Sequence, residues 1–161
     1  MTIRHATIDD LDIITLIETT LFHKTEAAKK EEINDRLELN GDYFWLLDDF
    51  GEVLAFVHDL PTNAENLSDD MFHTREKYYD INGAWLMLLS VATHPFHRNR
   101  GYARRVMQQV ITDSRDQGRK GIVLTCKEQL IPFYQKFGFL SEGKSASTHG
   151  GAAWYQMRLT F

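Results

Sequence analysis

The run "AWLMLLSVAT", residues 84–93, constrains the fold more than any other stretch of this chain. It is almost wholly apolar yet about half the length needed to span a bilayer, so it reads as a central strand covered on both faces of a sheet. "HPFHRNRGYARRVMQQVI", residues 94–111, follows directly, and within it Ala103, Val106, Met107, Val110 and Ile111 recur at helical spacing. Gly118 sits where that helix would end, so Gly101 stands at a strand-to-helix turn. Arg98, Arg100, Arg104 and Arg105 surround it, and no acidic residue lies between Asp80 and Asp113 in a chain of formal net charge -5. A helix start presents unpaired N–H groups at the positive end of its dipole, a glycine there lets an anion approach the backbone, and arginines add forked donors. These features together predict a phosphate-bearing ligand. The turn is not a P-loop, since no Gly-Lys-Ser/Thr follows, and it lacks the Gly-x-Gly-x-x-Gly of dinucleotide folds.

The remaining composition says where such a site would operate. With 161 residues, 43% of them hydrophobic, the chain is expected to form a single domain over residues 1–161. A sequence pI near 5.8 argues against a nucleic-acid partner, so the arginines should serve a local site for a small anion. Cys126 is the only cysteine, no secretory leader pattern opens the chain, and no apolar run is long enough for a membrane. A soluble, cytoplasmic protein is expected, without a membrane partner.

Other segments give the order of elements. "TIRHA" reads as a strand, and Thr7 and Asp10 have capping-box spacing before the helical face Leu11, Ile14, Ile17 and Leu21. A weaker helix runs through "EAAKKEEINDRLEL" to Asn40-Gly41, and "YFWLL" and "VLAFV" flank Asp48-Asp49-Phe50-Gly51 as a hairpin. The polar, acidic "PTNAENLSDD" reads as a loop. "GIVLTC" is a buried strand, "EQLIPFYQKF" a short helix with Pro132 in its first turn and Gly138 its stop, and "FGFLSEGK" and "AWYQMRL" are the last strands. The expected order is β-α-α-β-β-β-α-β-α-β-β, an α/β (α+β) chain.

Arg98-Asn99-Arg100-Gly101-Tyr102-Ala103, preceded by His94-Pro95, resembles the Gln/Arg-x-x-Gly-x-Gly/Ala motif with which GNAT acetyltransferases bind the pyrophosphate of acetyl-CoA. "LTCKEQLIPFYQKFGF" resembles the corresponding segment of the arylalkylamine N-acetyltransferase-like branch, and "TLFHKTEAA" its Phe-Pro-x-x-Glu-Ala-Ala stretch, with His23 where proline is usual. The resemblance implies a GNAT fold, a mixed and mostly antiparallel sheet of about seven strands flanked by about four helices. It implies acetyl-CoA as cosubstrate, no metal, and direct acetyl transfer to a small primary amine in a ternary complex. By position, Val91, Ala92 and Thr93 would hold the pantetheine arm on a strand that parts from its neighbour, with the Val91 N–H as oxyanion donor. Arg98, Asn99, Arg100, Gly101, Tyr102, Ala103 and Arg104 would hold the pyrophosphate, and Phe133 and Tyr134 would lie by the cofactor. Tyr134 would protonate the departing thiolate; a phenol with a reference pKa of about 10 is still protonated at neutral pH and can donate.

The base departs from the family pattern. Where arylalkylamine enzymes carry two histidines, this chain has Met87 and Leu89, neither of which can take a proton. His58, which ends "VLAFVH", is the candidate base, with Asp59, Glu128 and His149 behind it and water as another route. His94 and His97 lack a carboxylate or cysteine nearby in sequence, so no metal is expected, and Cys126 reads as a buried strand residue rather than a nucleophile. The long segment 61–83 is expected to form part of the acceptor wall; its acids, with Tyr43, Trp45, Trp85 and Trp154, suit a cationic, partly apolar amine or form a solvated face and a core. Polyamines and a protein amino terminus remain alternative acceptors. An acyl-CoA sensor without turnover and a subunit built for assembly are rivals, and edge strands with the "KSASTHGGAAW" hairpin would allow a homodimer.

Overall fold

Seven strands and four helices follow the order β-α-α-β-β-β-α-β-α-β-β in a computed structural model that describes every residue except His23. The sequence comparison made with His23 therefore lies outside the described residues. β1 (Thr2–His5) leads through a 3-10 turn at Ile8–Asp10 into α1 (Leu11–Leu21), and the Asp10 carboxylate accepts the Thr7 N–H at 2.8 Å, as the capping spacing predicts. α2 (Lys30–Asn40) begins at Lys30 rather than at Glu26, because the Glu32 carboxylate accepts the Lys29 N–H and fixes the start there.

β2 (Phe44–Asp49) and β3 (Glu52–Thr62) pair from Phe44↔His58 to Asp49↔Glu52. Phe50 and Gly51 join them with φ of 51° and 91°, the doubly positive turn whose twist matches a hairpin. Phe50 adopts the left-handed region with its side chain fully exposed, while Asp48 accepts the Gly51 N–H at 2.6 Å. The structure corrects the length of β3. The strand continues through Pro61 to Thr62 and every residue after Glu52 is buried, so His58 lies inside it rather than at its end. Polar residues and a proline signal a strand's end in sequence, and burial overrides that signal here.

β4 (Trp85–Thr93) and β5 (Gly121–Cys126) are parallel and joined through α3 (Tyr102–Asp116). A 3-10 turn at Glu128–Leu130 precedes α4 (Ile131–Gln135), and β6 (Leu140–Lys144) and β7 (Tyr155–Thr160) close the chain. The hydrogen-bonded order is β1-β2-β3-β4-β5-β7-β6, with β1/β2, β2/β3, β5/β7 and β6/β7 antiparallel, so the sheet is mixed. Among the described residues no helix is long and apolar enough to cross a membrane.

The chain divides into two compact units. Met1–Asp59 with Ser90–Val110 packs Ile14, Ile17, Ile33, Phe44, Leu46 and Phe56 into one apolar cluster. Burying each such side chain contributes about 1.5–3 kcal/mol. In the second unit, Leu60–Leu89 with Ile111–Phe161, Leu60, Met71, Met87 and Val123 form a separate cluster. There Arg119 is buried and donates to the carbonyls of Gly83 and Ile81 at 2.5 and 3.1 Å, which fixes the end of the long segment before β4.

Arg4 ties three elements of the first unit together. Its guanidinium reaches both oxygens of Asp10 at 2.8 and 2.9 Å and Asp48 of β2 at 2.8 Å. These bonds hold the Asp10 and Asp48 carboxyls below the usual carboxylate range. Because both folded values are lowered, their stabilisation is complete above the unfolded value near 4 and is lost as pH falls through the lowered folded values. Arg4→Met is expected to cost about 1–2 kcal/mol at pH 7, a charge-assisted pair discounted for partial exposure, and the gap from the parent protein should narrow at pH 3. Urea unfolding at the two pH values measures both.

Candidate active site

The turn from β4 into α3 is built from residues of alternating hand. His94 donates its N–H to the Leu54 carbonyl at 2.8 Å, and its Nδ1 accepts the Phe96 N–H at 3.2 Å, which closes the 3-10 turn Pro95–His97. Arg98 is extended, Asn99 has φ 62° and Gly101 φ 77°. Left-handed residues within a tight turn aim successive N–H groups to one side and make a concave seat for an anion. The Gly101 carbonyl accepts the Arg105 N–H at 3.1 Å, so the N–H groups of Tyr102, Ala103 and Arg104 begin the helix without acceptors inside it. A Cβ built on Gly101 meets no atom within 4 Å. Glycine is demanded by its positive φ, and the space over the turn is open. Arg98, Arg100 and Arg104 are exposed, and among the described residues none of their three side chains makes a hydrogen bond or ion pair.

A cleft of about 270 Å³ lies beside this turn, lined by Leu21, Phe22, Val91, Ala92, Thr93, Arg98 and Asn99. Its β4 wall follows from a local feature of the sheet. The parallel ladder runs from Trp85↔Gly121 to Leu88↔Leu124 and stops there, although β4 continues to Thr93. Among the described residues no pair of that ladder lies beyond Leu88. The structure thus brings Val91, Ala92, Thr93, Arg98 and Asn99 to one cleft, with Gly101, Tyr102, Ala103 and Arg104 continuing along the turn. Leu21 and Phe22 also line it. In sequence Leu21 reads as part of the apolar face of α1 and Phe22 as its neighbour, and apolar residues at a helix end carry no signal of a binding role.

The other candidates are placed as follows. Tyr134 on α4 is 6% exposed, edge-on to Phe133 at 5.0 Å and to Phe139 at 6.0 Å between ring centres. His58 is fully buried, its ring stacked on Phe44 at 3.7 Å and its Nδ1 3.3 Å from the Tyr43 carbonyl oxygen. Asp59 is buried beside it on β3, whereas Glu128 is exposed and His149 partly so. Met87 and Leu89 are buried apolar strand residues. Burial pushes the Cys126 thiol up to about 11, and its Sγ lies 3.7 Å from Met157 Sδ, so it is a poor source of thiolate.

Two further features come from the fold. His97, in the turn after β4, has a carboxylate near it that is distant in sequence: Glu52, at the start of β3, approaches its Nε2 at 2.8 Å. The long acidic segment, meanwhile, uses several of its carboxylates internally. Asp69 accepts the Ser147 hydroxyl and the Thr148 N–H, Asp70 accepts the Tyr78 hydroxyl at 3.2 Å, and Asp80 accepts from Asn63 and Asn82. Tyr43, Trp45 and Trp85 are core aromatics. Trp154 is only partly buried, with the Lys127 ammonium 5.7 Å from its ring centre and its indole N–H donated to His149.

A family model described as the acetyltransferase (GNAT) family matches residues 11–139. The chain belongs to that family. The fold of this GNAT protein is similar to the loading GNATL domain of CurA from Lyngbya majuscula, with 14% identity, a TM-score of 0.84, and 99% of this chain and 96% of that one covered. It is similar to the GNAT-like decarboxylase GphF in complex with isobutyryl-CoA, with 16% identity, a TM-score of 0.81 and 99% of each chain covered. It is also similar to YncA from Salmonella typhimurium, whose structure holds its cofactor acetyl-CoA, with 19% identity, a TM-score of 0.71, and 99% and 93% covered. At these identities the likeness is one of fold. Comparison with curated proteins gave no match.

Gly101 offers a direct test of the turn. Gly101→Ala is expected to lower the stability of this acetyltransferase-family protein by about 1–2 kcal/mol, the cost of a left-handed non-glycine residue, since no neighbour obstructs the new methyl group. Chemical denaturation measures the loss.

Proposed function

We propose that the protein transfers the acetyl group of acetyl-CoA to the primary amine of a small molecule, as a single domain over residues 1–161 and in the manner of the arylalkylamine-like branch. The observation that carries this reading is the turn at Asn99 and Gly101. It combines left-handed backbone, an open face and exposed arginines at the start of a helix, directly after a strand edge released from pairing. That set of donors fits a pyrophosphate followed by an amide-bearing arm.

On this reading Arg98, Asn99, Arg100, Gly101, Tyr102, Ala103 and Arg104 bind the pyrophosphate. The freed backbone of Val91, Ala92 and Thr93 takes the pantetheine amides as another strand would. The Val91 N–H donates to the thioester oxygen as it gains charge, and such a preorganised donor is worth most where water is excluded. Phe133 borders the cofactor, and Tyr134 gives its phenolic proton to the departing sulfur while the amine nitrogen bonds to the acetyl carbon. The amine must first lose a proton, and we assign that step to water. The alternative base, His58, is stacked on Phe44 and buried, a placement that suits packing of the strand.

Calorimetry with acetyl-CoA, run beside thiol release over a panel of arylalkylamines, polyamines, amino acids and short peptides, tests the reading. Turnover is expected with one amine class. Turnover with peptides alone would move the acceptor to a protein amino terminus; binding without turnover would favour an acyl-CoA sensor; carbon dioxide release from a carboxylated acyl-CoA would favour decarboxylation. Arg98→Ala is expected to weaken acetyl-CoA binding about tenfold, the loss of roughly one charge-assisted contact. Tyr134→Phe should lower kcat by about 10–100-fold and leave the acetyl-CoA Kd within about twofold, the pattern of a lost general acid.

A further inference from the structure

Glu18 holds both ends of the connection between α1 and α2. Its backbone carbonyl accepts the Phe22 N–H at 3.1 Å where the helix ends, and its carboxylate Oε1 accepts the Ala28 N–H at 3.1 Å, ten residues further on. Glu18 is 5% exposed and Ala28 is buried, so water does not substitute for either bond. The surroundings are costly for a carboxylate. Ile14, Ile17, Ala28, Ile33 and Leu37 form the apolar cluster of this unit, and the opposing charge is Arg36 of α2, itself 4% exposed, with Glu32 as the like charge that also acts on the site. Burial pushes the Glu18 carboxyl up and the Arg36 guanidinium down. A buried pair of this kind adds little net stability, and its best-attested use is to specify one arrangement among several.

The arrangement it specifies is a wall of the cleft. Leu21 and Phe22, which open the clamped connection, face the same space as Val91, Ala92, Thr93 and Arg98. We propose that Glu18 is a positioning residue whose carboxylate clamps the α1–α2 connection, so that Leu21 and Phe22 form a fixed apolar wall for the pantetheine arm of acyl-CoA. This rests on the reading of the cleft as the acyl-CoA site. The wall is preformed, so binding does not have to order it.

The test compares the parent protein with Glu18→Ala, Glu18→Gln and Phe22→Ala, using acetyl-CoA and inorganic pyrophosphate as separate calorimetric probes. Pyrophosphate reports the arginine turn alone, whereas acetyl-CoA reports the turn and the wall. Glu18→Ala is expected to weaken acetyl-CoA about tenfold with pyrophosphate unchanged, to raise KM for acetyl-CoA more than it lowers kcat, and to speed hydrogen exchange at the Ala28 amide about tenfold or more. Glu18→Gln keeps an acceptor for that amide and should restore affinity to within about threefold. Equal weakening of both probes, or no change in either, would overturn the role given to Glu18. Should Glu18→Ala not fold, Phe22→Ala decides: a selective loss of acetyl-CoA supports the wall, and an unchanged ratio of the two affinities removes it together with its clamp. A parent protein that binds neither probe would instead overturn the acyl-CoA reading itself.

Discussion

Parallel pairing between β4 and β5 ends at Leu88 and Leu124, and the proposed acyl-CoA site depends on that ending. A strand in the middle of a sheet normally spends both rows of backbone groups on its neighbours, and β4 does so only over its first half. Its remaining residues have one edge free of β5 and run straight into a turn that ends at a helix start. Strand edge and helix N-terminus are both sources of unsatisfied backbone donors, and here one continuous segment, residues 89–104, supplies them in succession. Side chains then refine what the backbone offers. On the proposed reading the arginines add positive charge for the pyrophosphate, and the positive φ of Gly101 permits the turn.

The same logic explains why so much hydrogen bonding is spent on parts remote from the turn. An edge of free backbone groups is usable only if it is held still. On one side Arg4 ties β1, β2 and the entry to α1 through Asp10 and Asp48, and Glu18 closes the connection that leaves α1. In the other unit Arg119 and the carboxylates of residues 69–80 fasten a long irregular segment to its own neighbours. Of the acids that read as either an attraction for a cationic acceptor or a solvated face, Asp69, Asp70 and Asp80 accept hydrogen bonds from loop backbone, an amide and hydroxyls.

The order of elements and the strand-to-helix turn at Gly101 were legible in the sequence because each depends on local chemistry. Apolar continuity marks β4, a 3.6-residue period marks α3, and the glycine between them has one conformational purpose. Features set by distant segments were not legible. His58 reads as the end of a strand because His-Asp-Leu-Pro looks like a boundary, yet it lies within β3 under aromatic cover. Glu52 and His97 are separated by 45 residues and meet only because the start of β3 and the turn after β4 come together in the fold. Glu18 reads as one more polar position on an amphipathic helix, and nothing local shows that Ala28 turns its amide back toward it.

The histidines missing from β4 place one further limit on mechanism. Met87 and Leu89 are packed among apolar side chains, so no rotamer change brings a proton acceptor to those positions. A protein that relies on water to deprotonate its acceptor gains little from binding amines of high pKa, which are almost wholly protonated at neutral pH. Its rate with such amines should climb with pH about in proportion to the free-amine fraction, without the plateau that a side-chain base with a pKa near neutrality imposes. An amine whose own pKa lies near 7 should reach its limiting rate about three pH units earlier than an alkylamine of similar shape, whose pKa is about 10. A pH profile taken with two such amines therefore reports directly on the base: coincident profiles would place a titrating side chain at the site, and separate profiles, each following its own amine, would place the proton loss in solvent.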